Sequence, residues 1–178
     1  MSDKIKILFD SFHLYHLPQF EPLIDLLDMD KRFDIFHSTS NEIPNQEYQL
    51  CSSILRKKPG TFIKAKTEKM RQRKIKNLDL DFFICGWSRY DIDKYVTIKT
   101  IVGMIYHGIG IKPSYWLDNH QRLDLRFVEG EYRVNQLQQN GIDTRLELTG
   151  FIKLDPIFQK NKIDINNIKQ KYNLDPSK

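Results

Sequence analysis

Residues 78–85 (LDLDFFIC) end in a run of apolar side chains, and Gly86 follows directly. Strands that are apolar on both faces are typical of a parallel sheet covered by helices on each side. A second run, TIVGMIY at 100–106, leads straight into His107. These two segments therefore predict two buried strands at the centre of an α/β protein.

Shorter segments on both sides of this centre extend the pattern. We predict further strands at 4–9, 33–36, 61–64, 125–128 and 145–148, with helices near 17–27, 48–55, 66–76 and 131–139. Strand and helix alternate with short connections, so we predict an α/β fold with a doubly wound, mostly parallel, Rossmann-like sheet. This domain is expected over 1–158, and the polar tail 159–178 is expected to be a linker.

Length and composition set limits on the class of protein. A chain of 178 residues with 40% hydrophobic residues fits one folded domain. It has no apolar run of about 18 residues and no secretory signal, so we predict a cytoplasmic protein. Cys51 and Cys85 stand far apart in sequence, and we expect both to be core thiols rather than a disulfide or metal ligands.

The net charge of +5 is concentrated in the segment 56–76, which holds ten Lys and Arg residues against Glu68 alone. Spacings of three and four place Lys66, Lys69, Arg73 and Lys76 on one predicted helical face, called here the basic face. Such a face is either solvated or in contact with an anionic partner. No aromatic motif accompanies it, so we expect an anionic membrane surface rather than nucleic acid.

The strongest candidate for chemistry is YHGIGIKP at 106–113, which follows a predicted strand. Ligands of wound sheets bind beyond the carboxyl ends of the strands. His107 is a side chain suited to accepting a proton near neutral pH. Gly108 and Gly110 allow backbone amides to approach phosphate oxygens, and Lys112 supplies a positive charge. This segment therefore predicts a phosphate-handling site with His107 as its base.

A second candidate is TGFIKLDP at 149–156, also just past a predicted strand. Gly150 would permit a tight strand-to-helix turn. Lys153 and Asp155 are interpreted as ligand contacts or as partners of each other.

His13 and His16 are three residues apart, but no third imidazole and no cysteine stand near them in the sequence. We therefore predict no metal site and no cofactor. Both histidines are interpreted as residues at the edge of a cleft or at the start of a helix.

These motifs resemble one enzyme family. His-Gly-x-x-x-Lys at 107–112, followed some forty residues later by Thr-Gly-Phe-x-Lys-x-Asp at 149–155, resembles the CDP-glycerol glycerophosphotransferases. The opening segments 7–10 and 14–20 are also similar to that family, whereas Ile152 stands where the family usually has proline. The resemblance covers nearly the whole chain. It implies the first of two Rossmann-like domains in a GT-B arrangement, the second of which holds most of the nucleotide site.

The resemblance also implies a reaction. His107 would remove a proton from an acceptor hydroxyl, which attacks the donor pyrophosphate and expels CMP. Lys112 and the amides of Gly108 and Gly110 would hold phosphate charge, and Lys153 and Asp155 would shape the cleft wall. The implied partners are CDP-glycerol, or a related nucleotide donor, and a polymer or glycan acceptor. A role in teichoic-acid or capsule synthesis at the inner face of the cell membrane follows, with the isolated domain inactive.

Two other functions stay open on the sequence alone. The first is a nucleotide-sugar glycosyltransferase or epimerase of the same two-domain build, because a His-Gly loop fits that chemistry as well. The second is a module without catalytic activity that uses the basic face to bind anionic membrane or nucleic acid.

Overall fold

The computed structural model describes residues 4–87, 90–110, 112–117, 122–158 and 165–175. The predicted linker 159–178 is thus described only in part, and the part described includes a helix at Ile165–Lys171. Residues 159–164 and 176–178 lie outside the described residues.

Seven parallel strands form one sheet in the order β3-β2-β1-β4-β5-β6-β7. The strands are Ile5–Asp10 (β1), Phe33–Ser38 (β2), Thr61–Phe62 (β3), Phe82–Cys85 (β4), Ile101–Ile105 (β5), Leu125–Val128 (β6) and Arg145–Leu148 (β7). The helices are Leu17–Asp28 (α1), Asn45–Leu55 (α2), Glu68–Lys76 (α3), Ser114–Leu117 (α4), Glu131–Gln139 (α5), Asp155–Phe158 (α6) and Ile165–Lys171 (α7). Every predicted strand is present, which confirms the doubly wound, Rossmann-like fold.

The strand order reverses between β1 and β4, which pair side by side. In wound sheets the loops on the two sides of such a reversal diverge and leave a crevice at the carboxyl ends of the strands. Here the loops after β1, β4 and β5 meet at that edge. The topology therefore places the segment after β1 next to His107, although the two candidate motifs of the sequence follow β5 and β7.

Each face of the sheet has its own hydrophobic core. Phe20 of α1 and Leu55 of α2 pack on one face, and Ile75 of α3 and Leu137 of α5 pack on the other. The apolar run of β4 serves both cores, because its alternate side chains point to opposite faces. This double burial explains the continuous apolar character of 82–85.

Both cysteines lie in these cores as free thiols, as predicted. Burial raises the pKa of the Cys51 thiol to about 11 and that of the Cys85 thiol to about 12. Neither thiol therefore ionises near neutral pH, and both act as small apolar side chains.

One part of the first face is not covered by a helix. An apolar trough of about 470 Å³ runs across the sheet beside α1. Strand residues such as Phe82, Ile105 and Phe127 form its floor, and Leu23 and Leu26 of α1 form one wall.

The basic segment 56–76 differs in two respects from its prediction. Helix α3 begins at Glu68 with Thr67 as its cap, so Lys66 precedes the helix while Lys69, Arg73 and Lys76 follow along it. All four side chains are exposed. Arg71, counted among the ten cations of this segment, is fully buried and pairs with Asp10 and Glu68, so its charge is not available to an external partner. None of the helices in the described ranges is long and apolar enough to span a membrane.

Candidate functional site

His107 stands at the carboxyl end of β5, two residues after the last residue of the strand. Its backbone carbonyl accepts a hydrogen bond of 3.0 Å from the buried side-chain amide of Gln19 in α1. The ring is half-buried, between the solvent and the strand ends. The fold therefore fixes the backbone of this residue and leaves one side of the ring at the crevice.

Two hydrogen bonds define the protonation pattern of the His107 ring. Nδ1 lies 2.8 Å from the carbonyl oxygen of Gly86. A carbonyl oxygen only accepts, so Nδ1 carries the proton, and in the neutral ring Nε2 holds the lone pair. Nε2 lies 3.2 Å from the hydroxyl oxygen of Tyr115, which donates to it. The nitrogen able to accept a proton is thus the one that faces Tyr115.

Tyr115 is held in place from three sides. Its ring stacks on Tyr106 at 5.8 Å between centroids, and the guanidinium of Arg133 lies 5.6 Å from its centroid. A Cβ atom at Gly110 would lie less than 3.0 Å from three atoms of the ring. Arg133 also donates to the carbonyl of Gly110 at 2.8 Å. Gly110 is therefore needed to make room for the Tyr115 ring beside the histidine.

A polar cavity of about 160 Å³ opens beside His107. Two cations line it: Lys112, which is exposed, and Arg126 of β6, which is only 1% exposed. No aspartate or glutamate is among the described residues that line it. The lining consists of Tyr15, Gly86, Trp87, Met104, Tyr106, His107, Lys112, Ser114, Tyr115 and Arg126.

The loop after β1 brings a second imidazole to His107. His16, just before α1, is fully buried, and its ring centroid lies 5.0 Å from that of His107. Burial, with the nearby His107 and His13 rings, lowers the pKa of His16 to about 3. A Cβ atom at Gly86 would lie 2.8 Å from Cγ of His16, so the glycine admits this ring. His16 is therefore a neutral packing partner at the start of a helix, in agreement with the sequence interpretation.

Asp10, at the end of β1, is occupied by a separate network. Its buried carboxylate accepts hydrogen bonds from Ser38 at 2.6 Å and Tyr90 at 2.7 Å, and it pairs with Arg71. Asp10 does not line the polar cavity. It therefore joins strands and helix at this end of the sheet rather than offering a carboxylate to a ligand.

The structure brings together only part of the predicted site. His107 and Lys112 line the polar cavity, with Gly108 and Gly110 between them in the chain. The second motif does not line it: Gly150, with φ of +78°, Lys153 and Asp155 are exposed beyond β7. Asp155 instead lies at the rim of the apolar trough. A role of these three residues at the cleft wall stays a prediction.

Sequence reasoning missed Arg126 and Arg133. Both are almost fully buried, and both contact the aromatic residues around His107. One signal was present for Arg126: a charged residue within the short strand LRFV is costly to bury and therefore has a specific reason to be there. No group of His, Cys, Asp or Glu suited to a metal ion occurs among the described residues.

Comparison with known proteins yields structural neighbours only. No protein-family model and no curated protein sequence matches the chain. It is similar to the UDP-GlcNAc 2-epimerase from Neisseria meningitidis bound to UDP-GlcNAc, with a TM-score of 0.60, 15% identity, and coverage of 94% of this chain and 52% of the epimerase. The UDP-GlcNAc 2-epimerase from Methanocaldococcus jannaschii matches with a TM-score of 0.57 and 16% identity, over 96% of this chain and 52% of the epimerase. S. aureus MnaA with UDP matches with a TM-score of 0.60 and 16% identity, over 96% of this chain and 51% of MnaA.

The chain thus spans about half the length of the solved structures that it matches. At such low identity the likeness concerns the fold. It agrees with the doubly wound, Rossmann-like sheet described above.

Proposed function

We propose that this chain is the amino-terminal domain of a two-domain transferase that uses CDP-glycerol as donor and His107 as general base. The observation that carries the proposal is the geometry of the His107 ring beside a cationic cavity. Nδ1 is committed to the Gly86 carbonyl, so Nε2, which accepts from the Tyr115 hydroxyl, is the nitrogen that would take a proton once an acceptor hydroxyl replaces that of Tyr115. The choice of CDP-glycerol as donor rests on the His-Gly-x-x-x-Lys and Thr-Gly-Phe-x-Lys-x-Asp motifs, which resemble those of the CDP-glycerol glycerophosphotransferases.

In the proposed reaction, Nε2 of His107 takes the proton of an acceptor hydroxyl while the hydroxyl oxygen attacks the glycerol-bearing phosphorus. The bond from that phosphorus to the bridging pyrophosphate oxygen breaks, and CMP leaves with the electron pair. Base catalysis of this kind contributes about 10² to 10⁴ in rate. Lys112 and the amides of Gly108 and Gly110 would stabilise the negative charge on the phosphoryl oxygens. The acceptor would be a polyol phosphate or glycan.

The two-domain arrangement is part of the proposal. Each solved neighbour is about twice as long as the region that this chain matches. The polar cavity lies at the carboxyl edge of the sheet, where a second domain would close over it. As the resemblance to the CDP-glycerol glycerophosphotransferases implies, most of the nucleotide contacts are assigned to that second domain.

A second candidate, a nucleotide-sugar epimerase or glycosyltransferase, is favoured by the solved neighbours, two of which are described as UDP-GlcNAc 2-epimerases and one as a complex with UDP. The motifs at 107–112 and 149–155 favour the glycerophosphotransferase instead. The described lining of the cavity offers one imidazole and two cations but no carboxylate, a set that could bind the phosphates of either donor.

The decisive experiment measures nucleotide release by the full-length protein. We expect CMP release from CDP-glycerol in the presence of acceptor, reduced by about 10² to 10⁴ in His107→Ala. His13→Asn is the matched control, because this imidazole lies on the same edge outside the cavity. Circular dichroism and thermal melting would verify that both variants fold. Undiminished turnover in His107→Ala would reject the base assignment.

A donor screen separates the two candidates. Release of UDP or GDP from a nucleotide sugar, with CDP-glycerol inert, would replace the glycerophosphotransferase proposal by the second candidate. Release of CMP alone would support the first.

We further propose that the basic face attracts the protein to an anionic membrane. The side chains of Lys66, Lys69, Arg73 and Lys76 are all exposed, and each basic residue near anionic lipid is worth about 1 kcal/mol. Co-sedimentation with phosphatidylglycerol vesicles should therefore weaken with salt, and should be lost when all four are changed to glutamine. Equal binding to neutral phosphatidylcholine vesicles would contradict this proposal.

A further inference from the structure

Arg126 occupies an unusual place for a charged side chain. It stands in the middle of β6, in register with Met104 of β5, and is 1% exposed. Its Nη1 donates to the hydroxyl of Tyr106 at 2.9 Å, and that hydroxyl donates to the backbone carbonyl of Tyr115 at 3.1 Å. The guanidinium is therefore fixed in position by the same aromatic residues that surround His107.

This fixed guanidinium lines the polar cavity together with Lys112 and His107. Ser114 adds a hydroxyl to the same lining. The lining of the cavity thus includes one buried cation, one exposed cation and several hydroxyl groups.

The shape of the guanidinium narrows the choice of anion. Its planar set of N–H groups binds phosphoryl and carboxylate oxygens in pairs, whereas lysine acts as a point charge. A phosphoryl group offers more acceptor oxygens than a carboxylate and can contact both cations at once. We propose that the polar cavity is a phosphoryl-binding subsite, with Arg126 as its fixed cation and Lys112 as its outer cation.

This inference rests on the proposed function and deepens it, because it names the group held beside the base. A phosphoryl group in this cavity would sit next to Nε2 of His107, which also lines the cavity. It has two possible sources, the nucleotide donor or the polyol-phosphate end of the acceptor. The chemistry of recognition is the same for both.

The test is a binding titration on the 178-residue chain itself, followed by NMR or calorimetry, with inorganic phosphate as first probe. We expect saturable binding that weakens at least about tenfold in Arg126→Gln, the loss of one charge-assisted hydrogen-bonding group. Arg126→Lys should recover only part of the affinity, because lysine cannot bind two oxygens in a fixed plane. Arg145→Gln is the matched control, since this arginine lies on the neighbouring strand β7 and is 75% exposed in its side chain.

A second variant protects the test against misfolding. Lys112 is exposed, so Lys112→Gln should keep the fold and still weaken phosphate binding several-fold. The proposal is overturned if folded wild-type protein binds no phosphate at millimolar concentration. It is also overturned if both the Arg126 and the Lys112 variants bind as tightly as wild type.

Two further probes identify the source of the phosphoryl group. Tighter binding of CMP or CDP-glycerol than of glycerol 3-phosphate supports a subsite for the donor, and the reverse order supports one for the acceptor. Phosphate binding without CMP release by the full-length protein would remove the proposed function and leave the subsite. CMP release that depends on His107 but not on Arg126 would remove the subsite alone.

Discussion

At the scale of single residues, the site depends on the close approach of Gly110 to Tyr115. The Tyr115 hydroxyl donates to Nε2 of His107. A Cβ atom at residue 110 would overlap the Tyr115 ring. We expect Gly110→Ala to cost about 1–3 kcal/mol of stability, because the ring or the loop must shift. Nitrogen chemical shifts of the His107 ring would report the lost contact with Tyr115.

Gly130→Ala is the control for this change. Gly130 precedes α5 with an extended backbone (φ of −173°), and a Cβ atom there meets nothing within 4 Å. Its substitution should lower the free energy of unfolding, measured with urea, by no more than about 1 kcal/mol, the usual cost of placing Ala at the cap of a helix. Equal losses in the two variants would contradict the packing role assigned to Gly110.

His16 gives the protein a measurable dependence on pH. Its pKa is lowered from 6.5 to about 3 by burial and by its neighbouring imidazoles. Between these two values the unfolded chain binds a proton on His16 and the folded chain does not, so stability falls as the pH falls. We expect this residue to lower the free energy of unfolding with a slope of about 0.7 kcal/mol per pH unit at pH 6.5, which approaches about 1.4 kcal/mol per unit one pH unit lower.

The measurement is urea unfolding between pH 6.5 and 5, above the range where carboxylates titrate. Burial also lowers the pKa of His37, which adds a slope of the same sign. The difference between wild type and His16→Gln therefore isolates His16: the variant should have the smaller slope. Identical slopes would show that the His16 ring is not kept neutral by burial.

At the scale of elements, the ion pair between Asp10 and Arg71 joins β1 to α3. Both side chains are fully buried, and Ser38 of β2 donates to the same carboxylate. Removal of one partner from a buried pair costs about 3–5 kcal/mol, because the remaining charge stays buried without compensation. We therefore expect Arg71→Met to be strongly destabilising in thermal or urea unfolding.

Arg73→Met provides the comparison within the same helix. Arg73 is exposed, so its replacement should change stability by less than about 0.5 kcal/mol. If Arg71→Met were equally mild, the buried pair would not be an important link between these elements.

Helix α3 also shows how far sequence patterns reach. The spacing of Lys69, Arg73 and Lys76 correctly predicted an exposed basic side of a helix. The same pattern could not show that Arg71 turns inward, because its partner Asp10 is 61 positions away in the sequence. Likewise, in the sequence Arg126 only interrupts an apolar strand. The structure gives the reason for it, since Arg126 donates to Tyr106 and lines the polar cavity.

At the scale of the whole molecule, the sheet was predictable because each strand carries its own local signal. Apolar runs that alternate with segments of helical periodicity determine the class of fold. His107 was located because it follows one of these apolar runs. The partners of His107 were not predictable, because folding of the chain brings Gly86 and Tyr115 to its ring and places Arg126 in the same cavity.

The apolar trough leads to a prediction for the isolated chain. Leu26 in its wall is exposed, and the trough of about 470 Å³ is large enough to admit a small apolar molecule. We expect the 178-residue chain to enhance the fluorescence of a naphthalene-sulfonate dye while its near-ultraviolet circular dichroism stays native. Leu26→Glu should reduce this enhancement, whereas Leu117→Glu, at an exposed site in α4, should not. A dye response that is unchanged in Leu26→Glu would locate the binding elsewhere.

The position of β1 between β2 and β4 has a consequence for biosynthesis. Leu8 pairs with Phe36 on one side and with Phe83 on the other, and the second partner is translated about 75 residues later. At about 5–20 residues per second, a ribosome needs roughly 4–15 s to supply it. During that interval one edge of the nascent β1 has no hydrogen-bonding partner. Cotranslational chaperones that bind unpaired strand edges should therefore associate with this chain before residue 85 emerges.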